Sequence, residues 1–287
     1  MAKAAVSFRM NSCCRFVVVT AAAALSAVAI SADAAAAGSA FTFAGQRIKP
    51  GETVSANVPL RDQERSYASE GGNTPPAQAV ATLAVPPGFD PKKAWPVLIA
   101  LSTSDFKIQN GDDLAHLYRA TAFEEGWLVI AGDGPAYPGR DTSGWRASMT
   151  LAALDALHRS FPVSAHWPVA CAGYSGGSKR TGLLASLFSI AGCRIIGIYL
   201  TGINVDTLSD GYRQYRPGKE FLHTPIFISS GQEDKVATLK QQWDVKRSIQ
   251  LTGFDRVRLE TFRAGHVVKR SHIREALRWF RELAAAP

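Results

Sequence analysis

The sequence predicts an α/β fold, a mostly parallel and doubly wound sheet with helices on both faces. Short and almost wholly apolar segments, such as WPVLIAL at 95–101 and RIIGIYL at 194–200, are typical of strands buried on both faces. Segments with apolar residues at helical spacing alternate with these strands along the chain. Because neither an internal repeat nor a low-complexity linker interrupts the alternation, we expect a single domain over residues 53–287.

Each predicted element has its own local signal. The strands are rich in apolar and β-branched residues and are bounded by turn formers; they are expected at 53–60, 79–85, 95–101, 127–131, 169–172, 194–200, 225–229 and 257–262. The helices carry apolar residues at three- and four-residue spacing; they are expected at 113–125, 145–161, from the residue after Ser175 to about 190, 237–251 and 271–283. The first two strands, joined by the polar loop 61–76, are expected to pair antiparallel. Residues 35–52 are predicted to be a poorly ordered lead-in.

The first 34 residues have the layout of a secretory signal peptide. Lys3, Arg9 and Arg15 precede an apolar run at 16–30, and the small-x-small sequence Ala32-Asp33-Ala34 follows it. A transmembrane anchor is the alternative, but the apolar run is short for a bilayer span. We therefore expect cleavage near residue 34, a secreted or periplasmic location, and no stable membrane anchor in the mature protein.

Charge and cysteine content exclude some classes of protein. The formal net charge is +8, but the basic residues are scattered and form no stripe interleaved with aromatic side chains, so nucleic-acid binding is not expected. Cys13 and Cys14 leave with the signal peptide, whereas Cys171 and Cys193 remain. Two cysteines do not make a disulfide framework, and buried free thiols are favoured over a single bridge.

A glycine-framed serine lies between a predicted strand and a predicted helix. Gly173-Tyr174-Ser175-Gly176-Gly177 fits the pattern G-x-S-x-G. In such a turn the glycines let the strand and helix approach closely, and the serine hydroxyl stands above the helix N-terminus, where free N–H groups favour negative charge. An ordinary glycine-rich turn is the alternative. The flanking strand and helix favour a nucleophilic Ser175.

A serine nucleophile needs a base within hydrogen-bond reach and an acid that orients the base. His266 follows the last predicted strand, and Asp234 follows the strand at 225–229. Loops at the carboxyl ends of parallel strands meet at one edge of the sheet, so both side chains are candidates. Asp234 has the alternative role of a helix N-cap, and Glu233 and Asp206 are alternative acids. The other histidines have no metal-ligand spacing, so neither a metal nor a cofactor is expected.

The order Ser175, Asp234, His266 is the order found in α/β-hydrolases. The chain resembles that superfamily from about residue 53 to 283, and the turn PPGFDP at 86–91 leading to Trp95-Pro96-Val97 resembles small secreted bacterial esterases and depolymerase-like esterases. The resemblance implies the α/β-hydrolase fold. It also implies that Ser175 is the nucleophile, His266 the base and Asp234 the acid.

One loop departs from the pattern of these esterases. A His-Gly pair usually follows the strand equivalent to 97–101, whereas this chain has Ser102-Thr103-Ser104. We expect an oxyanion hole made by the backbone N–H of Gly176 with that of Thr103 or Ser104. Lys179 and Arg180 open the following helix, as solvated charges or as contacts to an anionic substrate.

The substrate is only broadly constrained. The segment at 201–224 is short, polar and basic, which predicts no large lid domain and argues against a true lipase. The sequence thus favours a secreted serine hydrolase acting on a small-molecule or polymer ester. A peptidase or a thioesterase on the same triad is an alternative, as is a non-catalytic binding protein that retains the fold.

Overall fold

The computed structural model describes residues 40–285, and the predicted signal peptide with Cys13 and Cys14 lies outside them. The described chain begins with a hairpin of β1 (Phe41–Phe43) and β2 (Gln46–Ile48). Eight further strands form one sheet: β3 (Thr53–Pro59), β4 (Gln78–Ala84), β5 (Val97–Leu101), β6 (Leu128–Asp133), β7 (Pro168–Tyr174), β8 (Arg194–Thr201), β9 (Ile226–Gly231) and β10 (Val257–Phe262).

The strands lie in the order β3-β4-β6-β5-β7-β8-β9-β10. All pairs from β6 to β10 are parallel, whereas β4 runs antiparallel to both of its neighbours, β3 and β6. The predicted mostly parallel sheet and the antiparallel pairing of its first two strands are therefore confirmed. Because the parallel strands share one direction, the loops after β5, β7, β8, β9 and β10 meet at a single edge.

Helices connect the strands: α1 (Asp62–Ala68), α2 (Asn110–Asp113), α3 (Arg119–Glu124), α4 (Ser143–Ser160), α5 (Gly176–Ile190), α6 (Thr207–Tyr215), α7 (Leu239–Thr252) and α8 (Arg270–Ala285). The core side chains of α4, α5 and α7 cover one face of the sheet, and those of the 110–124 segment and α8 cover the other. No helix within residues 40–285 is long and apolar enough to cross a membrane.

The central strand β5 explains why both faces are covered. Val97, Ile99 and Leu101 belong to one buried cluster, while Leu98 and Ala100 belong to the other, and all five are almost fully inaccessible to solvent. Successive side chains of a strand point to opposite faces, so an uninterrupted apolar strand needs a helix layer on each side. The predicted two helix layers are thus confirmed.

The prediction of a poorly ordered lead-in at 35–52 is wrong for residues 41–48, which form the β1–β2 hairpin. Phe43 and Ile48 are fully buried in the core beneath α4, and the Ala44 N–H donates to Ser160 Oγ at 2.9 Å. The turn has positive φ at Ala44 (45°) and Gly45 (83°), as a tight hairpin requires.

Two connections contain helices where the sequence indicated something simpler. The polar loop at 61–76 includes α1, and the predicted helix at 113–125 begins earlier, at Asn110, and passes through a π-helical stretch, Leu114–Tyr118. The early start has a long-range cause, because the N–H groups of Asn110 and Gly111 donate to the Asp133 carboxylate at the end of β6. The segment between β8 and β9 holds only α6 and a short 3₁₀ helix, Lys219–His223.

Candidate active site

Ser175 occupies a strained turn between β7 and α5. Its backbone has φ 55° and ψ −119°, a conformation that side-chain-bearing residues rarely adopt. The neighbouring glycines make the turn sterically possible: a Cβ at Gly173 would overlap the Gly177 carbonyl, and one at Gly177 would overlap the carbonyl of Leu101. The strand–turn–helix context of the G-x-S-x-G pattern is therefore present, with Ser175 immediately before the first turn of α5.

Ser175, His266 and Asp234 are connected by hydrogen bonds. Ser175 Oγ lies 2.9 Å from His266 Nε2, and His266 Nδ1 lies 2.7 Å from Asp234 Oδ2. The Asp234 carboxylate only accepts, so it favours the tautomer in which Nδ1 carries the proton and Nε2 accepts from the serine hydroxyl. The Asp234 side chain is almost fully buried, whereas that of His266 is 17% exposed. His266 Nε2 is therefore placed to accept the proton of Ser175 Oγ, and the partly exposed imidazole remains accessible to a substrate.

The two carboxylate oxygens of Asp234 have different partners. Its Oδ2 contacts His266, while its Oδ1 accepts the N–H groups of Val236 and Ala237, each at 2.8 Å. The second oxygen thus fixes the loop before α7, although the N-cap of α7 itself is Thr238. The backbone contacts hold the carboxylate in one orientation, which in turn orients the imidazole.

The two alternative acids are engaged elsewhere. Glu233 is exposed and pairs with Arg263 at 3.3 Å. Asp206 is the N-cap of α6, where its Oδ1 accepts the Ser209 N–H at 3.0 Å. Neither carboxylate contacts His266, so Asp234 is the acid that the fold brings to the histidine.

Tyr174, the residue before Ser175, contacts both the backbone and the ring of His266. Its hydroxyl donates to the backbone carbonyl of His266 at 2.6 Å, and its ring packs against the imidazole with centroids 4.9 Å apart. Gly202 also lies close to the imidazole, because a Cβ there would be 2.6 Å from His266 Cε1. The sequence analysis did not single out Tyr174, although it lies inside the G-x-S-x-G pattern, directly before Ser175.

The loop after β5 approaches Gly176 closely. A Cβ at Gly176 would lie 2.5 Å from Thr103 Oγ1, so the start of α5 and Thr103 face each other across the serine. Among residues 40–285, the backbone N–H groups of Gly176 and Thr103 contact no acceptor. Ser104 is exposed, and its carbonyl accepts the Tyr137 hydroxyl at 3.0 Å. The Ser104 N–H likewise contacts no acceptor among residues 40–285, so Gly176 with Thr103 or Ser104 stays the predicted pair of donors.

Ser102 is turned away from this pair into a buried polar network. It is fully buried, and its N–H donates to Asn110 Oδ1 at 2.9 Å. Its hydroxyl accepts from the Arg146 guanidinium at 2.9 Å. The network holds the loop after β5 in place, although the loop lacks the His-Gly pair described above.

The polar network around Ser102 also includes Arg146, Arg180 and Asp141. Arg146 on α4 is almost fully buried and binds Asp141 through two hydrogen bonds, at 2.8 and 2.6 Å. Arg180 on α5 donates to the Ser102 carbonyl at 2.9 Å and lies 3.1 Å from the Asp141 carboxylate. Burial opposes ionisation of Asp141, but the hydrogen bonds and charge of Arg146 outweigh it and hold the pKa of Asp141 below its ordinary value.

The expectation for Arg180 is corrected by these contacts. It is neither a solvated helix charge nor directed at a substrate, because its side chain is only 11% exposed and its guanidinium binds the Ser102 and Asp141 carbonyls. The sequence offered no signal for this role, since the partners lie far from Arg180 along the chain.

The remaining candidate ligands do not assemble into a metal site. No group of three or more His, Cys, Asp or Glu side chains in residues 40–285 is placed to hold an ion. Cys171 and Cys193 are both free thiols, and Cys171 is buried in β7. Burial raises the pKa of both thiols, which keeps them in the protonated and unreactive form.

Comparison with known proteins identifies the fold. The chain is similar to an α/β serine hydrolase without a lid from Xanthomonas campestris (14% identity, 83% of this chain and 98% of that chain, TM-score 0.56). It is also similar to a serine hydrolase homologue from Coxiella burnetii (13%, 83% and 99%, TM-score 0.55) and to an esterase from Pyrobaculum calidifontis (13%, 83% and 87%, TM-score 0.55). No family model and no curated protein matches the sequence. The chain has the α/β-hydrolase fold.

Proposed function

We propose that this chain is a secreted or periplasmic serine hydrolase that cleaves carboxylic esters through an acyl-enzyme intermediate. The observation that carries the proposal is the chain of hydrogen bonds from Ser175 through His266 to Asp234, in a turn that leaves the serine partly exposed. A fold alone supports many functions, so the weight rests on this geometry.

The first half of the reaction forms the acyl-enzyme. Ser175 Oγ attacks the ester carbonyl carbon while His266 Nε2 takes the serine proton, and Asp234 stabilises the imidazolium that results. The negative charge on the carbonyl oxygen is stabilised by the N–H of Gly176 at the start of α5 and by that of Thr103 on the loop after β5. The C–O bond to the alcohol then breaks, and the departing oxygen takes the proton back from Nε2.

The second half restores the enzyme. A water molecule gives a proton to His266 Nε2 and attacks the acyl carbon of the acyl-enzyme. The ester bond to Ser175 Oγ breaks, the proton returns to Oγ, and the carboxylic acid leaves. The same residues act in both halves of the reaction, and water is the only reactant needed besides the ester.

An ester is favoured over other acyl substrates by the resemblance to small esterases and by the esterases among the solved structures of the same fold. Peptide and thioester cleavage use the same triad and are the alternative activities. A non-catalytic binding protein is the alternative from another class. It was suggested by the altered loop after β5, but that loop is held by Arg146 and Arg180 in a position facing Gly176.

The test is labelling of the purified mature protein with a fluorophosphonate, which reacts with an activated serine and releases fluoride. We expect labelling of the wild type and none of Ser175→Ala or His266→Ala. Hydrolysis of matched ester, thioester and peptide substrates then decides between the activities, with the ester expected to react fastest. A wild type that does not label is a binding protein rather than a hydrolase.

The proposed location is tested separately. When the full chain is produced in a bacterial host with a general secretion system, we expect the protein outside the cytoplasm with an N-terminus near residue 35. Mass spectrometry of the secreted or periplasmic fraction measures this directly. An intact N-terminus on protein retained in the cytoplasm would contradict it.

A further inference from the structure

Three half-exposed valines lie at the edge of the sheet where the loops of the candidate triad meet, two of them on triad loops and one on the neighbouring loop after β8. Val205 follows β8, Val236 follows β9 and Val267 follows β10. Their side chains are 50%, 59% and 51% exposed. Single exposed apolar residues are normal on a protein surface, but three at the carboxyl ends of three adjacent strands form a patch, and such patches mark binding sites.

The three loops meet around the imidazole. Val267 directly follows His266, and the Val236 N–H donates to Asp234 Oδ1 at 2.8 Å. The loop of Val205 is joined to that of Val236 because the Asn204 side chain donates to the Val236 carbonyl at 3.2 Å. These valines therefore surround the His266 side of the site, opposite the loop that contains Thr103.

Two of the charged residues on the same loops, Glu233 and Lys269, contact other side chains. Glu233 pairs with Arg263, and Lys269 Nζ lies 5.2 Å from the centre of the Phe262 ring. Lys235, between Asp234 and Val236, is exposed as well, so the surface beside His266 combines the three valines with one lysine.

The proposed reaction decides which part of a substrate meets this surface. In the tetrahedral intermediate the carbonyl oxygen points to the N–H groups of Gly176 and Thr103. The alcohol oxygen must lie within hydrogen-bond reach of His266 Nε2, because it takes its proton from that atom. The acyl chain occupies the remaining direction. The alcohol portion thus leaves on the side of the valines.

We propose that Val205, Val236 and Val267 form the subsite for the alcohol portion of the ester, and that the preferred substrates are esters of apolar alcohols. The inference rests on the proposed ester hydrolysis, whose substrate class it makes specific. Burial of added methylene groups against the valines strengthens binding of the transition state, whereas an ether oxygen at the same place loses its hydration.

The experiment compares acetate esters of methanol, n-butanol, n-hexanol and 2-methoxyethanol, with kcat/KM of each divided by its rate of hydrolysis by hydroxide. We expect about a tenfold preference for hexyl over methyl and a several-fold preference for n-butyl over its near-isostere 2-methoxyethyl. We expect the hexyl-to-methyl ratio and the butyl-to-methoxyethyl ratio of normalised kcat/KM to fall toward one when the valines are replaced. The variants are Val205→Ser, Val236→Ser and Val267→Ser, singly and combined. Melting temperatures report whether each variant is folded.

Val163→Ser is the matched control. Val163 is also about half exposed, at 49%, but lies on the 3₁₀ helix before β7, at the opposite edge of the sheet. Its substitution should leave both ratios unchanged. A second control varies the acyl chain, from ethyl acetate to ethyl hexanoate, and we expect the valine variants to keep the wild-type acyl preference.

The outcomes are distinguishable. A wild type that hydrolyses the acetates with equal normalised rates overturns the alcohol subsite, as do valine variants that keep the wild-type ratios or that change the acyl preference instead. A wild type that neither labels with fluorophosphonate nor hydrolyses any ester overturns the proposed function, and the subsite with it.

Discussion

At the scale of single residues, Asp234 divides its two oxygens between His266 and the backbone of the loop before α7. Because Oδ1 accepts two backbone N–H groups, an amide at this position would keep its own oxygen there. Its NH₂ group would then face His266 Nδ1, which could only accept. The tautomer would be reversed, Nε2 would carry the proton, and the imidazole could not take the proton of Ser175.

We therefore expect Asp234→Asn to lower kcat by about 10³–10⁴-fold while the protein remains folded. The measurement is steady-state ester hydrolysis, with circular dichroism as the check on folding. Asp206→Asn is the matched control, because asparagine is also a good N-cap and Asp206 does not contact His266. Loss of less than tenfold in Asp234→Asn, or an equal loss in Asp206→Asn, would contradict the assignment.

Tyr174 is a positioning residue for His266. Tyr174→Phe retains the ring that packs on the imidazole and removes the hydroxyl that donates to the His266 carbonyl. A hydrogen bond of this kind contributes on the order of 1 kcal/mol, so we expect kcat to fall about two- to tenfold with little change in KM. Stopped-flow labelling with fluorophosphonate should slow by the same factor. An unchanged labelling rate would mean that the loop after β10 holds His266 without Tyr174.

At the scale of elements, the loop after β5 is held between α4 and α5. Arg146 reaches it from α4 and Arg180 from α5, and both also bind Asp141. A planar guanidinium can donate to two acceptors in fixed directions, which a lysine ammonium cannot reproduce. The position of Thr103 opposite Gly176 thus depends on two arginine side chains that lie outside the proposed triad and oxyanion hole.

We expect Arg180→Lys to lower kcat by about tenfold with little change in KM, because the loop carrying the Thr103 N–H loses its anchor while Arg146 still neutralises Asp141. Complete removal of one oxyanion donor costs ~10²–10³ in rate, which sets the upper limit. Steady-state kinetics measure the split between kcat and KM. The reverse exchange at the neighbouring position, Lys179→Arg, is the control and should be neutral. If Arg180→Lys is equally neutral, Arg146 alone suffices.

At the scale of the whole molecule, the fold and the proximity of Ser175, His266 and Asp234 could be predicted because their signals are local. Apolar strands, a G-x-S-x-G turn and polar residues directly after strands can each be recognised within a short window. Burial of the β1–β2 hairpin could not be predicted, since it depends on Phe43 and Ile48 meeting α4 across more than a hundred residues of chain. The contacts of Arg146 and Arg180 were unpredictable for the same reason.

Two buried titratable groups give the molecule opposing responses to pH. Burial lowers the pKa of His272 to about 4, and its Nδ1 lies 2.9 Å from Ser229 Oγ. Its neutral form is favoured in the folded state, so its contribution to stability is present above pH 6.5 and is lost as the pH falls toward 4. Asp113 acts in the opposite direction. The pH profile of the wild type alone therefore does not separate the two groups.

A substitution at Asp113 isolates one of them. Asp113 is 6% exposed, and burial, with the nearby charge of Asp112, raises its pKa from 3.8 to about 7 despite the opposing charge of Arg146. Its protonated form is favoured in the folded state. The stability it contributes is therefore complete below pH 3.8 and is lost as the pH rises through about 7. Asparagine has nearly the same shape and does not ionise, so it removes this loss.

We expect the free energy of unfolding of Asp113→Asn minus that of the wild type to be about 2–3 kcal/mol higher at pH 8 than at pH 5, which means that the variant gains relative stability as the pH rises. Urea unfolding at the two pH values measures it, and His272, common to both proteins, cancels in the difference. Asp62→Asn, at an exposed carboxylate in the first turn of α1, is the control and should show a much smaller change. A difference for Asp113→Asn as small as that of the control would mean that the Asp113 carboxylate ionises in the folded protein without a penalty, because Arg146 or entering water stabilises its charge.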